Sequence, residues 1–318
     1  MHRSLWLGCA LCAWIWVYSP AASSERVQGQ RQGLAPQEGL SLPPAKGRAP
    51  FHLELRLKQA PFRDAPQDAP HVIVHASSHF RADRPFTLVV FFHGWSGCTR
   101  VLAYLGKEAR CTPSMPPAPG WGLLERHERA GLPSLLIVPQ LAWRKRETKT
   151  GRFREASYLR AFLRELRDIL RAETGQEIDL EAAPRSVWLA HSAGYAPLRD
   201  LLEQDTPLPG TSQDVVLFDA LYEDAAVFAR WLRTPGAHKR LVSFYTSDAT
   251  TQAQNRALAE RLRRAKVELS FEDRELESPF PCASPLVIRR SRVGHGRVAL
   301  TYFSPLLRAL GGCEPGET

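Results

Sequence analysis

The chain has 318 residues and a formal net charge of +9, with 42 Lys and Arg against 33 Asp and Glu. An apolar content of 44% is that of a folded globular protein and excludes a wholly disordered chain. The excess charge is carried almost entirely by arginine and no nucleic-acid-binding motif accompanies it. A nucleic-acid partner is therefore not expected, and the charge suits either a generally solvated basic exterior or an anionic cell-envelope surface as partner.

In chain order, His2 and Arg3 precede an apolar stretch from Leu5 to Val17, and small residues around Ala21 and Ala22 follow. This layout predicts a secretory signal peptide over 1–22, with an uncleaved anchor as the alternative. The apolar run is shorter than the roughly 20 residues a transmembrane helix needs, so no integral membrane segment is expected beyond it. Residues 23–50 are rich in Gln, Gly, Pro, Ala and Arg without periodicity, which predicts a flexible linker. Residues 51–318 then read as a single domain. Of the six cysteines, Cys9 and Cys12 fall inside the leader. The other four predict two disulfides, Cys98–Cys111 and Cys282–Cys313 by the most economical pairing. Their spacing has no C-x-x-C pair and speaks against zinc, and no metal is expected.

Apolar runs predict strands at 51–57, 72–75, 87–92, 135–138, 187–190, 215–218, 241–245, 267–271 and 286–289. Helical periodicity appears at 154–173, 225–232 and 253–264, the first with Leu159, Phe162, Leu163, Leu166, Ile169 and Leu170 in one stripe closed by Gly175. The alternation predicts an α/β three-layer sandwich around a mainly parallel sheet, led by an antiparallel hairpin. The stretch 96–133 shows no clear strand and is expected to be a long functional loop. Between Tyr222 and His238 only one short helix fits.

Ala190-His191-Ser192-Ala193-Gly194 directly follows the apolar run ending in Trp188 and Leu189, and a helix is expected after it, running to about Glu203. A serine between small residues at a strand-to-helix turn exposes its hydroxyl and aims backbone N–H groups at a nearby oxyanion. The segment resembles the nucleophile elbow G-x-S-x-G of the α/β-hydrolase superfamily, with Ala190 in place of the first glycine. The order of strands and helices from Phe51 onward is similar to that superfamily as well.

The resemblance implies a serine hydrolase in which Ser192 attacks an ester, or less readily an amide, through an acyl-enzyme without a cofactor. His295, the only histidine after His238, is expected on a glycine-flanked loop as general base. Asp248, ending the 241–245 strand region, is the preferred acid, and Asp219, at the end of the strand before it, is the alternative. The backbone N–H groups of Ala193 and Trp95 would form the oxyanion hole, with His93 and Gly94 supporting that turn by hydrogen bonds. His191 is expected to pack and not to act as a second base. Arg144, Lys145 and Arg146, in a basic loop after the 135–138 strand, form a candidate substrate rim. The second reading is a non-catalytic binding or scaffold protein of the same fold at the cell envelope. The substrate is an ester of unspecified structure.

Overall fold

A computed structural model describes residues 50–62, 65–95, 97–141, 150–272 and 280–313, all within one compact unit. The expected leader, the linker and the basic triplet Arg144, Lys145 and Arg146 lie outside the described residues.

Nine strands make the main sheet: β1 (Phe51–Leu55), β2 (Val72–Ala76), β3 (Thr87–Phe92), β6 (Ser134–Pro139), β7 (Arg185–His191), β8 (Ser212–Phe218), β9 (His238–Tyr245), β10 (Ser270–Glu272) and β11 (Leu286–Arg290). Their spatial order is β1-β2-β6-β3-β7-β8-β9-β11-β10. β1 pairs antiparallel with β2, and β2 antiparallel with β6; every other neighbour is parallel. The expected hairpin therefore leads a parallel sheet.

The sheet is covered on both faces, and its strands say so by being apolar at consecutive positions. Leu88, Val90 and Phe92 of β3 and Trp188 and Ala190 of β7 face one core. Against it pack α3 (Tyr158–Thr174), α4 (Tyr195–Glu203), α5 (Ala225–Arg233) and α6 (Ala249–Arg264). Val89, Phe91, Val187 and Leu189 face the opposite core, built with α1 (Thr99–Ala103), α2 (Leu123–Ala130) and α7 (His295–Gly311). The three-layer α/β sandwich is thus the architecture. No helix among the described residues is long and apolar enough to cross a membrane.

Two expectations need correction. The stretch read as a strandless loop holds α1, α2 and a small antiparallel pair, β4 (Leu105–Ala109) and β5 (Ala118–Trp121). That pair is mostly exposed, so it lacks the in–out alternation that marks a strand in sequence. His295 does not sit in a loop: it is the first residue of α7, whose stripe runs from Val298 to Leu310. Glycines at 294, 296 and 311 and Pro305 within the helix masked the periodicity.

Both expected disulfides are present, Cys98–Cys111 and Cys282–Cys313. They close loops of 13 and 31 residues. In the chain-entropy model they are worth about 3 and about 4 kcal/mol. Near the second, Asp214 on β8 is buried between Arg185 of β7 (2.9 Å) and Arg240 of β9 (3.1 Å). Arg185 also donates to the Cys313 carbonyl at 3.1 Å.

Candidate active site

β7 is buried along its whole length and ends at His191, after which the chain turns sharply. Ser192 takes φ +53°, in the left-handed region that costs a residue with a side chain roughly 1–2 kcal/mol. A short 3-10 turn over Ser192–Gly194 leads straight into α4. Only glycine fits at 194, because a Cβ there would lie 2.2 Å from the Phe92 carbonyl oxygen and 2.9 Å from that of His93. The packing of α4 on β3 thus dictates the last small residue of the motif.

The turn after β3 closes over the serine. A Cβ on Gly94 would lie 2.8 Å from Ser192 Cβ and 3.3 Å from Ser192 Oγ, so the His93-Gly94-Trp95 backbone runs against the hydroxyl. His93 is fully buried and holds this turn. Its Nε2 accepts from the Leu141 N–H at 2.9 Å, which leaves the proton on Nδ1 to be donated to the Gly94 carbonyl at 2.8 Å. Burial lowers its pKa to about 4, so it stays neutral. Gln140, at the end of β6, completes the brace: its amide donates to His93 Nε2 and the Gly97 carbonyl, and its oxygen accepts from the Thr99 N–H. Trp95 is half-exposed at the mouth.

His295 Nδ1 donates to Asp219 Oδ2 at 2.7 Å. Asp219, at the end of β8, is completely buried and itself takes φ +47°. It also accepts from Thr246 N (3.0 Å), Thr246 Oγ1 (2.8 Å) and Thr251 Oγ1 (2.7 Å). Burial by itself would raise the carboxyl pKa, but the bonds from His295, Thr251 and Thr246 outweigh it and hold Asp219 below the usual carboxylate range. With Nδ1–H donating this hydrogen bond, the neutral imidazole keeps Nε2 as its acceptor nitrogen, on a side chain that is about two-fifths exposed (41%).

The preference for Asp248 is corrected by this geometry. Asp248 is the N-cap of α6, accepting from Thr250 N and Thr251 N at 3.0 Å. A carboxylate placed between a strand end and a helix start fits either role in sequence, and here it serves the helix.

His191 ties His295 to the end of β7. Its Nε2–H donates to the His295 carbonyl at 3.0 Å, and the two rings lie 4.8 Å apart. Burial, outweighing this bond, lowers its pKa to about 4. The ring of Trp121 from the β4–β5 pair meets His191 edge-on at 5.1 Å. Among the described residues no hydrogen bond joins Ser192 Oγ to His295. The Tyr222 ring lies 6.4 Å from that of His295, with its hydroxyl within reach of the Ser192 side chain.

Sequence reasoning missed Tyr222, Gln140 and the two threonines, since none belongs to a local motif. It also missed Arg199 on α4, which bonds Glu223 and Asp224 at 2.9 Å while Tyr195 donates to Glu223 at 2.5 Å. The helix that follows the elbow therefore grips the loop carrying Asp219 and Tyr222. Among the described residues no three His, Cys, Asp or Glu side chains gather as a metal site would require.

No protein-family model matches the chain, and no curated protein matches it in sequence. Some solved structures are similar to it at low identity. A feruloyl esterase module from Clostridium thermocellum is 10% identical at TM-score 0.47, over 84% of this chain and 88% of that one. An S-formylglutathione hydrolase from Staphylococcus aureus is 11% identical at TM-score 0.44, over 76% and 88%. The esterase LipW from Mycobacterium marinum is 15% identical at TM-score 0.41, over 79% and 78%. The strand order and the strained serine between β7 and α4 are in line with the resemblance read from the sequence.

Proposed function

We propose that this protein is a serine hydrolase acting on carboxylic esters. The observation that carries the reading is the 2.7 Å bond from His295 to buried Asp219, formed at the same sheet edge as strained Ser192. Three distant segments converge there, at a cost in backbone strain that packing alone does not explain.

In the proposed reaction Ser192 Oγ attacks the ester carbonyl carbon as its proton passes to His295 Nε2. Asp219, ionised through neutral pH, holds the Nδ1 proton and stabilises the imidazolium. The carbonyl oxygen gains the negative charge between the start of α4 and the Gly94–Trp95 backbone, where the Ala193 and Trp95 N–H groups would receive it. Collapse of this intermediate expels the alcohol, which takes the proton from His295. Water then attacks the acyl-serine with His295 again as base, releasing the acid and restoring Ser192. The half-exposed Trp95, next to the Gly94 backbone that runs against Ser192, favours a substrate with an apolar portion. The two disulfides support work in an oxidising compartment after export.

A fluorophosphonate probe should label purified protein at Ser192, and Ser192→Ala should abolish labelling and turnover of p-nitrophenyl acetate. Folded protein that neither labels nor turns over this ester would return the binding-protein reading.

A further inference from the structure

Away from Ser192, two helices bring four arginines to one groove. α5 and α6 both return from the carboxyl edge of the sheet to its amino edge, where β9 begins beside the start of β8. Their last turns lie about one strand length, roughly 25 Å, from the catalytic edge. On α5, Ala226, Ala229, Arg230 and Arg233 share a face by their spacing of three, four and seven residues; on α6, Arg261 and Arg264 do the same. These faces line a groove of about 530 Å³, within the range of small-ligand sites.

The small side chains of Ala226 and Ala229 leave the space, and the four arginines are among the residues that line it. All four arginines are exposed, and no acidic side chain lines the groove. Two are steered by backbone carbonyls: Arg230 donates to Glu203 and Arg264 to Glu260, each at 3.4 Å. Among the described residues none of the four has a carboxylate partner within ion-pair distance. The neighbouring Lys239 ammonium, by contrast, is engaged by the carbonyls of Trp231 and Thr234.

A cation at a helix C-terminus complements that helix's dipole, which accounts for basic last turns taken singly. It does not account for two helices turning their arginines onto a shared concavity that excludes acids. Like charges so gathered repel one another, and a bound anion converts the repulsion into attraction. The planar guanidinium fork matches phosphate oxygens in pairs. We infer that the α5–α6 groove is a binding site for a phosphate group, carried by a lipid headgroup or by a soluble phosphate ester, separate from the Ser192 site.

The test uses the full chain at fixed ionic strength, so that screening is constant. One variant carries Arg230→Gln, Arg233→Gln, Arg261→Gln and Arg264→Gln. A charge-matched control carries Arg81→Gln, Arg84→Gln, Arg129→Gln and Arg164→Gln, all exposed positions elsewhere. Inorganic phosphate is titrated calorimetrically, and co-sedimentation is measured with phosphatidylcholine vesicles with and without phosphatidylglycerol. The site predicts that the groove variant binds at least tenfold more weakly in whichever arm the wild type binds. The control should stay within twofold, and turnover of p-nitrophenyl acetate should be unchanged in both. Binding to phosphatidylglycerol vesicles without saturable phosphate binding assigns a lipid source, and the converse assigns a soluble ester. Equal losses in the two variants, or no wild-type binding in either arm, would overturn the inference.

Discussion

Replacing Asp219 by asparagine is the sharpest perturbation of the proposed site. Asp219 Oδ1 accepts from Thr246 N and Thr251 Oγ1, while Oδ2 accepts from Thr246 Oγ1 and His295 Nδ1. An asparagine must put its NH2 group at one of these positions. At Oδ1 it would confront the Thr246 N–H, donor against donor, leaving a buried donor unmet at about 1–3 kcal/mol. It will therefore sit at Oδ2 and donate to His295 Nδ1. That forces the imidazole proton onto Nε2, the nitrogen that has to accept the proton of Ser192. The loss expected for such a tautomer trap is ~10⁴-fold in turnover, or about 5 kcal/mol of transition-state stabilisation. Asp248→Asn keeps a good N-cap and should leave turnover within twofold, whereas Asp248→Ala should cost about 1 kcal/mol of stability. The assay is p-nitrophenyl acetate turnover together with the rate of fluorophosphonate labelling, on variants whose fold is checked by circular dichroism. Turnover by folded Asp219→Asn within tenfold of wild type would refute the argument.

Gly194→Ala should destabilise the elbow by a few kcal/mol or prevent soluble expression, since its Cβ would meet the Phe92 carbonyl oxygen at 2.2 Å; a melting temperature equal to wild type would contradict that packing. Burial holds His75, His93 and His191 neutral down to about pH 4, while the unfolded chain takes up protons there from about pH 6.5. Stability should therefore fall as pH drops from about 6.5 to about 4, by up to about 3 kcal/mol per group, and urea midpoints that do not move across this window would exclude the effect. Tyr222 is pushed up to about 12, by burial first and then by Asp219 and Asp248, so its hydroxyl stays protonated at neutral pH and can donate to the reacting oxygens. Tyr222→Phe should lower kcat about tenfold with little change in KM, and an unchanged kcat would remove it from the site.

The sheet was legible because each central strand is a run of consecutive apolar residues, as at Leu88 to Phe92, which only a doubly covered sheet accommodates. Ser192 was legible because the constraint on its neighbours is local and steric. The carboxylate partner of His295 was not, because Asp219 and Asp248 both stand at strand ends in similar sequence contexts. What separates them is the φ of +47° at Asp219 and the hydroxyls of Thr246 and Thr251, which fold back onto it from beyond β9. α7 escaped notice for a different reason: its apolar stripe is interrupted by residues that normally end helices, and tertiary burial of Val298, Phe303 and Leu307 overrides their propensity.

The Cys282–Cys313 bond gives α7 a meaning beyond covering the sheet. Its 31-residue span encloses β11 and the whole of α7, so His295 rides inside a covalently closed ring. One end of the helix presents the imidazole to Asp219; the other, about 25 Å away along its axis, is fastened beside the strand starts, where Arg185 grips the Cys313 carbonyl. Reducing agent acting at that far end would free the anchor of a helix whose tip carries His295. Loss of thiol pairing would then register first as imprecise placement of an imidazole, with the sheet still intact. Activity that decays under reductant ahead of any change in secondary structure would be the mark of such a lever.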